Sequence, residues 1–243
     1  MRQQLGREWL DEDAGSAEAV RASLADLAWI HHHLGGEAAL RRLLAAALPR
    51  LAPKAAAAAA PGQRRLRILD VGAGAGAGTA AMLRWLRGQG YVCHLVALDR
   101  RPSHLLAGRP WPPDVDLAAG DVLALPFPPR SFDLVLCSLF LHHFHGAAAV
   151  EVLRAMARLS RGAVLVQDLA RSWWGYCGFS LVAAVRLSRM TLHDGRVSFR
   201  QAYTAPELAA LARAAGCMDY QVSVPGRFRL GLTIWPHGES NGA

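Results

Sequence analysis

Residues 67–79 have the sequence RILDVGAGAGAGT, and this stretch decides the fold of the 243-residue chain. Apolar, β-favouring residues run into an acid, and four glycines then alternate with alanines. The helix-compatible sequence AAMLRWL follows at 80–86. This order predicts a buried strand, a tight turn whose backbone a ligand can approach, and a helix whose N-terminus points at that ligand. The stretch therefore predicts a site for a nucleoside-containing cofactor.

Strand-like and helix-like segments alternate through the rest of the chain. The strand-like segments are nearly continuous apolar runs, as expected of strands that are covered on both faces. They are predicted at 66–71, 91–98, 115–119, 132–138, 163–168, 218–224 and 227–235. Helices are predicted at 76–88, 146–159 and 205–215. The order predicts an α/β fold with a doubly wound, mostly parallel, seven-stranded, Rossmann-like sheet, whose last two strands pair through a turn at Pro225-Gly226.

Two helical regions stand outside this alternation. Residues 1–60 are predicted to form an N-terminal helical cap that includes a helix over 37–48 and leads into a low-complexity joint from Pro53 to Gly62. Residues 61–243 are predicted to form the main domain. Within that domain, 171–203 are predicted to be an inserted helical segment on the substrate side, whose apolar part either lines a pocket or is ordinary helix packing.

Composition limits the partners and the compartment. The formal net charge is +8, but Lys54 is the only lysine and the arginines are scattered, so we interpret the charge as dispersed and expect no nucleic-acid partner. The four cysteines are far apart, which favours free thiols in a reducing compartment. No secretory signal and no membrane-spanning apolar stretch are visible, so we expect a cytoplasmic protein without stable membrane insertion. The sequence does not indicate an oligomeric state.

The acid before the glycine turn distinguishes two cofactor classes. A nicotinamide-binding unit requires G-x-G-x-x-G and an acid about 20 residues later. Residues 72–77 match only a relaxed form of that pattern, and Asp99 lies farther along the chain. Asp70 would repel a pyrophosphate, whereas it could accept hydrogen bonds from a ligand ammonium group. This favours S-adenosylmethionine, which has an amino-acid end and no phosphate. An NAD(P)-dependent oxidoreductase and a non-catalytic or RNA-associated protein remain the alternatives.

At this point the chain resembles the class I S-adenosylmethionine-dependent methyltransferases, over roughly residues 66–168. Four motifs carry the resemblance in the family's order: 70–76, Asp99, Gly120-Asp121-Val122 and Phe132-Asp133-Leu134-Val135. The resemblance implies S-adenosylmethionine as cofactor and assigns a set of residues to it. These are Asp70, Gly72, Ala73, Gly74, Asp99, Arg100, Asp121, Val122 and Ser138.

The same resemblance implies a role for each part of this set. Gly72 and Gly74 would approach the methionine part, which Asp70 would orient. Asp99 would take the ribose hydroxyls with Arg100 beside it. Asp121 and Val122 would meet the adenine, and Ser138 would lie under the sulfonium side of the pocket.

The sequence after the fourth strand concerns the acceptor. Residues 138–141 lack the Asn/Asp-Pro-Pro-aromatic tetrad of enzymes that methylate exocyclic amines or glutamine amides. Leu141-His142-His143-Phe144 resembles small-molecule methyltransferases, including the quinone-biosynthesis type. Residues 168–172 and 193–208 resemble methyltransferases that are encoded beside polyketide synthases. These resemblances imply a small, largely apolar acceptor, with a phenolic or quinol oxygen ahead of carbon as the methylated atom.

Three histidines are candidates for the base that takes the proton from a phenol. His143 ranks first, because it follows the carboxyl end of a strand, where open α/β sheets bind ligands. His142 is its alternative, and His193 beside Asp194 is third. Each of the three could instead be a capping or loop histidine. We expect no metal site: the consecutive histidines at 31–33 splay apart on a helix, so they are predicted to end it or to cover the pocket.

Overall fold

A computed structural model of the chain describes residues 1–12, 14–57 and 64–236. Within these residues the helices are α1 Ala17–His33, α2 Gly36–Ala57, α3 Ala77–Gly88, α4 Pro102–Ala107, α5 Ala147–Leu159, α6 Trp173–Arg186, α7 Arg189–Gln201 and α8 Ala205–Ala214. The strands are β1 Arg64–Val71, β2 Tyr91–Asp99, β3 Val115–Ala119, β4 Phe132–Ser138, β5 Ser160–Leu169, β6 Tyr220–Gly226 and β7 Arg229–Ile234. Short 3-10 helices span Val122–Ala124 and Leu141–His143.

The seven strands form one sheet in the order β3-β2-β1-β4-β5-β7-β6. Strands β1 to β5 are parallel, and β7 runs antiparallel to both β5 and β6. This confirms the doubly wound, mostly parallel, Rossmann-like sheet. The strand order reverses between β1 and β4, so the loops at their carboxyl ends diverge to opposite sides and leave a crevice for a ligand.

The central strands are apolar throughout because helices cover both faces of the sheet. Leu69 and Val135 face one side and lie in the same core cluster as residues of α5 and α8. Ile68 and Leu134 face the other side, in the cluster that contains the apolar residues of α2 and α3. Alternating residues of one strand are therefore buried in different layers, which is why the strands show no polar alternation.

Helix α2 continues beyond the predicted end at residue 48. It passes through Pro49 and Pro53 to Ala57, although a proline removes one backbone hydrogen bond. Leu44 and Leu51 of this helix are buried against the sheet, and such tertiary packing supplies most of the stability of a helix. The later part of the predicted joint, 58–62, lies outside the described residues.

The hairpin at the end of the sheet turns two residues later than predicted. Gly226 pairs with Arg229, so the turn is Arg227-Phe228, and Phe228 has a positive φ of 57°. The pairing register shifts between Ser223 and Gly226, and this irregularity accommodates Pro225, which has no N–H to donate to a ladder. The predicted turn at Pro225-Gly226 is therefore wrong in position.

The inserted segment forms α6 and α7, which contact each other and α1. Phe179 of α6 and Phe199 of α7 lie in one buried cluster with Ile30 of α1. These three helices stand above the carboxyl ends of the strands. None of the helices in the described part of the chain is both long and apolar enough to cross a membrane.

The first residues of the chain form an extended strap, defined here as residues 3–11, which lies along α7. Gln4 donates its backbone N–H to the carbonyl of Arg200 at 3.1 Å. The backbone N–H groups of Trp9 and Leu10 donate to the carboxylate of Asp194 at 2.8 and 3.0 Å. The strap thus passes over the crevice and is held there by backbone hydrogen bonds.

Candidate cofactor site and acceptor cavity

A cavity of about 920 Å³ lies at the carboxyl ends of the central strands. One half is lined by the glycine turn after β1 and by the loops after β2, β3 and β4. The other half is lined by α1, α6, α7, the strap and the β6–β7 hairpin. Every residue of the predicted cofactor-binding set lines the first half, so folding brings together side chains from four separate loops.

The glycine turn needs residues without a Cβ because its backbone has positive φ angles and because aromatic rings pack closely against it. Gly72 has φ +70°, and a Cβ built there would lie 2.3 Å from a ring carbon of Phe140. Gly76 has φ +79°, and its Cβ would lie 2.3 Å from the ring of Trp111. Gly74 also has a positive φ but has no atom within 4 Å of its Cβ position. The turn is therefore packed against aromatic rings at two glycines and open at the third, where a ligand can reach the backbone.

Asp70 lies buried beneath this turn. Its carboxylate accepts a hydrogen bond from the hydroxyl of Thr79 at the start of α3. Burial raises the pKa of Asp70 to about 7, the Thr79 hydrogen bond opposes that rise, and the negative charge of Asp99 adds to it. A ligand ammonium group beside Asp70 would favour its ionised form.

Asp99 links the end of β2 to the glycine turn. One carboxylate oxygen accepts the backbone N–H of Gly74 at 2.9 Å, and the other accepts that of Arg101 at 2.8 Å. Since each carboxylate oxygen has more than one lone pair, Asp99 keeps acceptor capacity for two ribose hydroxyls. Asp121 begins the 3-10 helix Val122–Ala124 by accepting the N–H of Leu123 at 2.9 Å.

Ser138 ends β4 at the middle of the cavity. Its hydroxyl donates to the side-chain carbonyl of Gln167 on β5 at 2.5 Å. These features fit S-adenosylmethionine: an open backbone at Gly74, a buried carboxylate for the ammonium group, and an acid at the end of β2 for the ribose.

His142 is almost completely buried between two carboxylates. Its Nδ1 lies 2.6 Å from Asp168 of β5, and its Nε2 lies 3.5 Å from Glu8 of the strap. Burial lowers the pKa of His142, but the two carboxylates outweigh it and raise the pKa to about 10. The ring is therefore an imidazolium at neutral pH and has no proton-accepting nitrogen.

His143 lines the cavity, and one of its ring nitrogens is paired with carboxylates of the strap. Its Nδ1 lies 2.8 Å from Asp11 and 3.9 Å from Glu8, both on the strap. Burial and the neighbouring His142 lower the pKa of His143, but the two strap carboxylates outweigh them and raise it above its ordinary value. No hydrogen bond to its Nε2 is formed within the described ranges of the chain. His143 therefore combines a free ring nitrogen with acids that stabilise its protonated form.

His193 lies away from the cavity. Its ring stacks on Trp9 with a centroid distance of 3.8 Å, and its Nδ1 lies 2.8 Å from Asp194. Asp194 is the same carboxylate that holds the backbone of the strap. The structure thus places His193 as a support for the strap, with no contact to the cavity surface.

The strap acids Glu8 and Asp11 line the cavity beside His142 and His143, and the sequence interpretation did not include them. The carboxylate of Glu8 accepts hydrogen bonds from Ser198 at 2.7 Å and from Gln201 at 2.9 Å. Its pKa is lowered, because the two histidines and Ser198 outweigh the effect of burial. No local pattern marks Glu8, since its partners lie more than 130 residues along the chain.

Glu8, His142 and His143 are also close enough to share a metal ion. Their potential ligand atoms all lie within 4.8 Å of one another. Those atoms already form ion pairs, and Asp11 and Asp168 complete a cluster of three carboxylates around two imidazole rings. Three carboxylates against at most two imidazolium charges leave the cluster with a net negative charge.

The acceptor half of the cavity is mainly apolar. Trp173 and Trp174 of the inserted segment are 59% and 77% exposed and lie on its outer face, whereas Phe179 and Val182 line the cavity. The other apolar lining residues are Leu24, Leu27, Ile30, Leu34, Leu169, Phe199 and Phe228. The buried polar residues that line this half include Ser23, His31, Thr191, Asp194, Ser198 and Arg229.

Comparisons with known proteins agree with this geometry. Residues 68–162 match the family model described as a methyltransferase domain. Among curated proteins no match was found. The plantazolicin methyltransferase shares the fold with a TM-score of 0.57 and 14% identity, over 93% of this chain and 98% of that chain.

Two further solved structures share the fold. An S-adenosylmethionine-dependent methyltransferase from Aquifex aeolicus has a TM-score of 0.52 and 15% identity, over 70% of this chain and 81% of that one. The CMeT domain of the citrinin polyketide synthase has a TM-score of 0.54 and 16% identity over 71% of this chain, which spans 47% of that structure. Residues 68–162 therefore match a methyltransferase domain, and the chain has the fold of the S-adenosylmethionine-dependent methyltransferases, which indicates S-adenosylmethionine as the cofactor.

Proposed function

We propose that this enzyme methylates an oxygen of a small, largely apolar acceptor, a phenol or a quinol. The observation that carries the proposal is the continuous cavity, which joins the cofactor half at the glycine turn to an apolar half beneath α6 and α7. A flat aromatic ring fits a cavity of about 920 Å³ together with the cofactor. Glu8, Leu10 and Asp11 of the strap line the same cavity.

When bound, S-adenosylmethionine would supply a methyl group on a sulfonium sulfur. The acceptor oxygen would bond to the methyl carbon in line, and the sulfur would leave as a neutral thioether. The main contribution of the protein is positioning, which is worth roughly 7–11 kcal/mol of the barrier for well-oriented reactants. The apolar walls contributed by Ile30, Phe179 and Phe199 hold the acceptor ring. A phenolate and a sulfonium neutralise each other as the methyl group moves, and a low-dielectric cavity favours such a loss of charge.

His143 is the proposed base. With its Nδ1–H donating to Asp11, its free Nε2 takes the phenol proton, and the carboxylates of Asp11 and Glu8 stabilise the imidazolium that forms. His142 is less suited to this step, because Asp168 and Glu8 already hold it in the protonated form. We assign His142 the role of positioning the strap acids beside His143.

Incubation with phenols and quinols and a carbon-13 methyl-labelled cofactor tests the proposal. The expected product gains one methyl group, and its carbon shift is that of an aryl methyl ether. His143→Ala should keep the affinity for S-adenosylhomocysteine and lower turnover by roughly 10²–10⁴-fold. The matched control His94→Ala removes an exposed histidine of β2 that pairs with Asp116 and should change neither quantity. An aryl-carbon methyl signal would instead support C-methylation, and unchanged turnover in His143→Ala would remove the base.

The compartment and the partners of the enzyme are part of the same proposal. All four cysteines are free thiols, and three of them are buried, which supports a cytoplasmic enzyme. Several of the arginines that the structure describes pair individually with scattered acids, as Arg87 does with Asp114, which supports a small-molecule acceptor and no nucleic-acid partner.

A further inference from the structure

Two buried side chains of the cavity, an imidazole and a guanidinium, each have a polar atom that no described residue satisfies. His31 is on the last turn of α1, and Arg229 is the first residue of β7. Both line the cavity, and they are 4% and 3% exposed. The Nε2 of His31 and the Nη1 of Arg229 have no hydrogen-bond partner in the part of the chain that the structure describes. A buried polar group without a partner is costly, so each of these atoms requires an explanation.

Arg229 keeps its charge in this environment. Burial lowers its pKa to about 10, with the more distant Asp168 acting in the opposite direction. Among the described residues no carboxylate lies within ion-pair distance of it. Burying a guanidinium without a counter-charge is unfavourable, and a ligand anion would offset this cost.

His31 is the neutral member of the pair. Burial and the charge of Arg229 lower its pKa to about 4, while Glu37 of α2 acts in the opposite direction and His32 adds to the decrease. The neutral ring has one N–H, and placing it on Nε2 gives a hydrogen-bond donor without a second positive charge. The pair therefore offers a single positive charge with several donors.

The ring of His31 is fixed at the border of the two halves of the cavity. A Cβ on Gly36 would lie 2.6 Å from its Nδ1, so the glycine leaves the space that the ring occupies. On the other side, a Cβ on Gly78 would lie 3.8 Å from its Nε2 and equally far from the Cβ of Ser138. The unpartnered Nε2 thus lies beside the first turn of α3 and the end of β4, where the cofactor half begins.

We propose that His31 and Arg229 form a subsite that binds a carboxylate group of a bound ligand. The guanidinium of Arg229 binds the carboxylate through its N–H groups, and His31 donates from Nε2 to one oxygen. A single positive charge surrounded by apolar side chains matches a monoanion on an aromatic ring. This inference rests on the proposed function, since it adds an acidic substituent to the aromatic acceptor.

Two sources can supply the carboxylate: the acceptor, or the methionine end of the cofactor. Arg229 lies among acceptor-side residues such as Leu169 and Phe228, which favours the acceptor. His31 lies closer to the cofactor half. The chemistry is the same in both cases, and ligands that lack one carboxylate or the other separate the two sources.

Isothermal titration of Arg229→Gln and His31→Asn provides the test. The probes are S-adenosylhomocysteine, methylthioadenosine (which lacks the amino-acid end) and, with S-adenosylhomocysteine present, salicylate and phenol. An acceptor carboxylate predicts that each variant binds salicylate at least tenfold more weakly and phenol unchanged. A cofactor carboxylate predicts the same loss for S-adenosylhomocysteine and none for methylthioadenosine. Arg84→Gln, an exposed arginine of α3, is the matched control and should change nothing.

Unchanged affinity for all four probes in both variants would overturn the subsite. Because Arg229→Gln removes a buried unpaired charge, the variant should unfold at the same temperature as the parent protein or higher, which checks that it is folded. Methylation of neutral phenols by such variants would leave the proposed function standing while the subsite fails. Conversely, arginine-dependent salicylate binding without any methyl transfer to phenols would leave the subsite and remove the function.

Discussion

Replacing Asp168 by asparagine should destabilise the folded protein by about 3–5 kcal/mol, because it removes one member of a buried ion pair. Asp168 is 1% exposed and accepts three hydrogen bonds. They come from the Nδ1 of His142 at 2.6 Å, the backbone N–H of His142 at 3.0 Å and the backbone N–H of Leu169 at 2.7 Å. Asparagine keeps one acceptor oxygen and turns an amide N–H₂ toward these donors, while His142 loses its nearest counter-charge.

Differential scanning calorimetry measures the effect directly. For a chain of this size each kcal/mol shifts the melting temperature by roughly 2–4 °C, so the variant should melt about 10 °C below the parent protein. The matched control is Asp114→Asn, which breaks a half-exposed pair with Arg87 on the surface. Surface pairs contribute about 0–1 kcal/mol, so this control should shift the transition by no more than about 3 °C.

The pH dependence follows from the two pKa shifts. The pKa of Asp168 is lowered from 3.8, so its contribution is present above that pH and is lost as the pH falls below it. The pKa of His142 is raised from 6.5 to about 10, so its contribution is complete below pH 6.5 and is lost as the pH rises through about 10. The difference between parent and variant should be largest near pH 6 and smaller at pH 10. A variant that melts within 2 °C of the parent at pH 6, or a difference that grows toward pH 10, would refute this assignment.

Three further changes test the cofactor half. Asp99→Ala should abolish measurable calorimetric binding of S-adenosylhomocysteine, with the fold retained by circular dichroism, because the turn and the ligand share this carboxylate. Gly72→Ala should lower both the melting temperature and cofactor affinity, since the added Cβ lies 2.3 Å from Phe140, whereas Gly88→Ala meets no atom within 4 Å and should affect neither. Asp70→Asn should raise the free energy of unfolding relative to the parent at pH 8 and not at pH 4. The pKa of Asp70 is raised from 3.8 to about 7, so ionising this carboxyl in the folded protein costs on the order of 4 kcal/mol. The parent bears that cost at pH 8, and asparagine removes it. Equal unfolding curves for parent and Asp70→Asn at pH 8 would contradict the last expectation.

The sheet could be predicted from the sequence because its pattern is local. Each central strand is covered on both faces, so each appears as an apolar run whose ends lie close to the observed ones, as for β4 at Phe132–Ser138. The continuation of α2 through Pro53 depends on burial against the sheet, which no local pattern encodes. The hairpin turn was displaced for a similar reason, because pairing with β7 fixes its register.

The convergence of the acids in the cofactor half could also be predicted from the sequence, because it follows from the strand pattern. Parallel strands bring their carboxyl ends to one edge, so Asp70, Asp99 and Asp121 converge as soon as the strands are assigned in order. The acceptor half is built differently. Glu8 reaches His142 across more than 130 residues, and His31 on α1 lies in the electrostatic field of Arg229 on β7. These pairs exist only in the fold.

The charge of each histidine shows why this difference matters for the chemistry. Sequence position ranked His142 beside His143 as a base and gave His31 no chemical role. In the structure, carboxylates on two sides of His142 raise its pKa and keep it protonated, whereas burial and the nearby cation Arg229 lower the pKa of His31 and keep it neutral. His143 has strap acids at one nitrogen, which raise its pKa, and the cavity at the other. Proton transfer requires a ring nitrogen that is free to accept the proton and an environment that stabilises the imidazolium that forms. The strap acids provide that environment for His143. Removal of the strap acids should therefore weaken His143 as a base even though the histidine itself is unchanged.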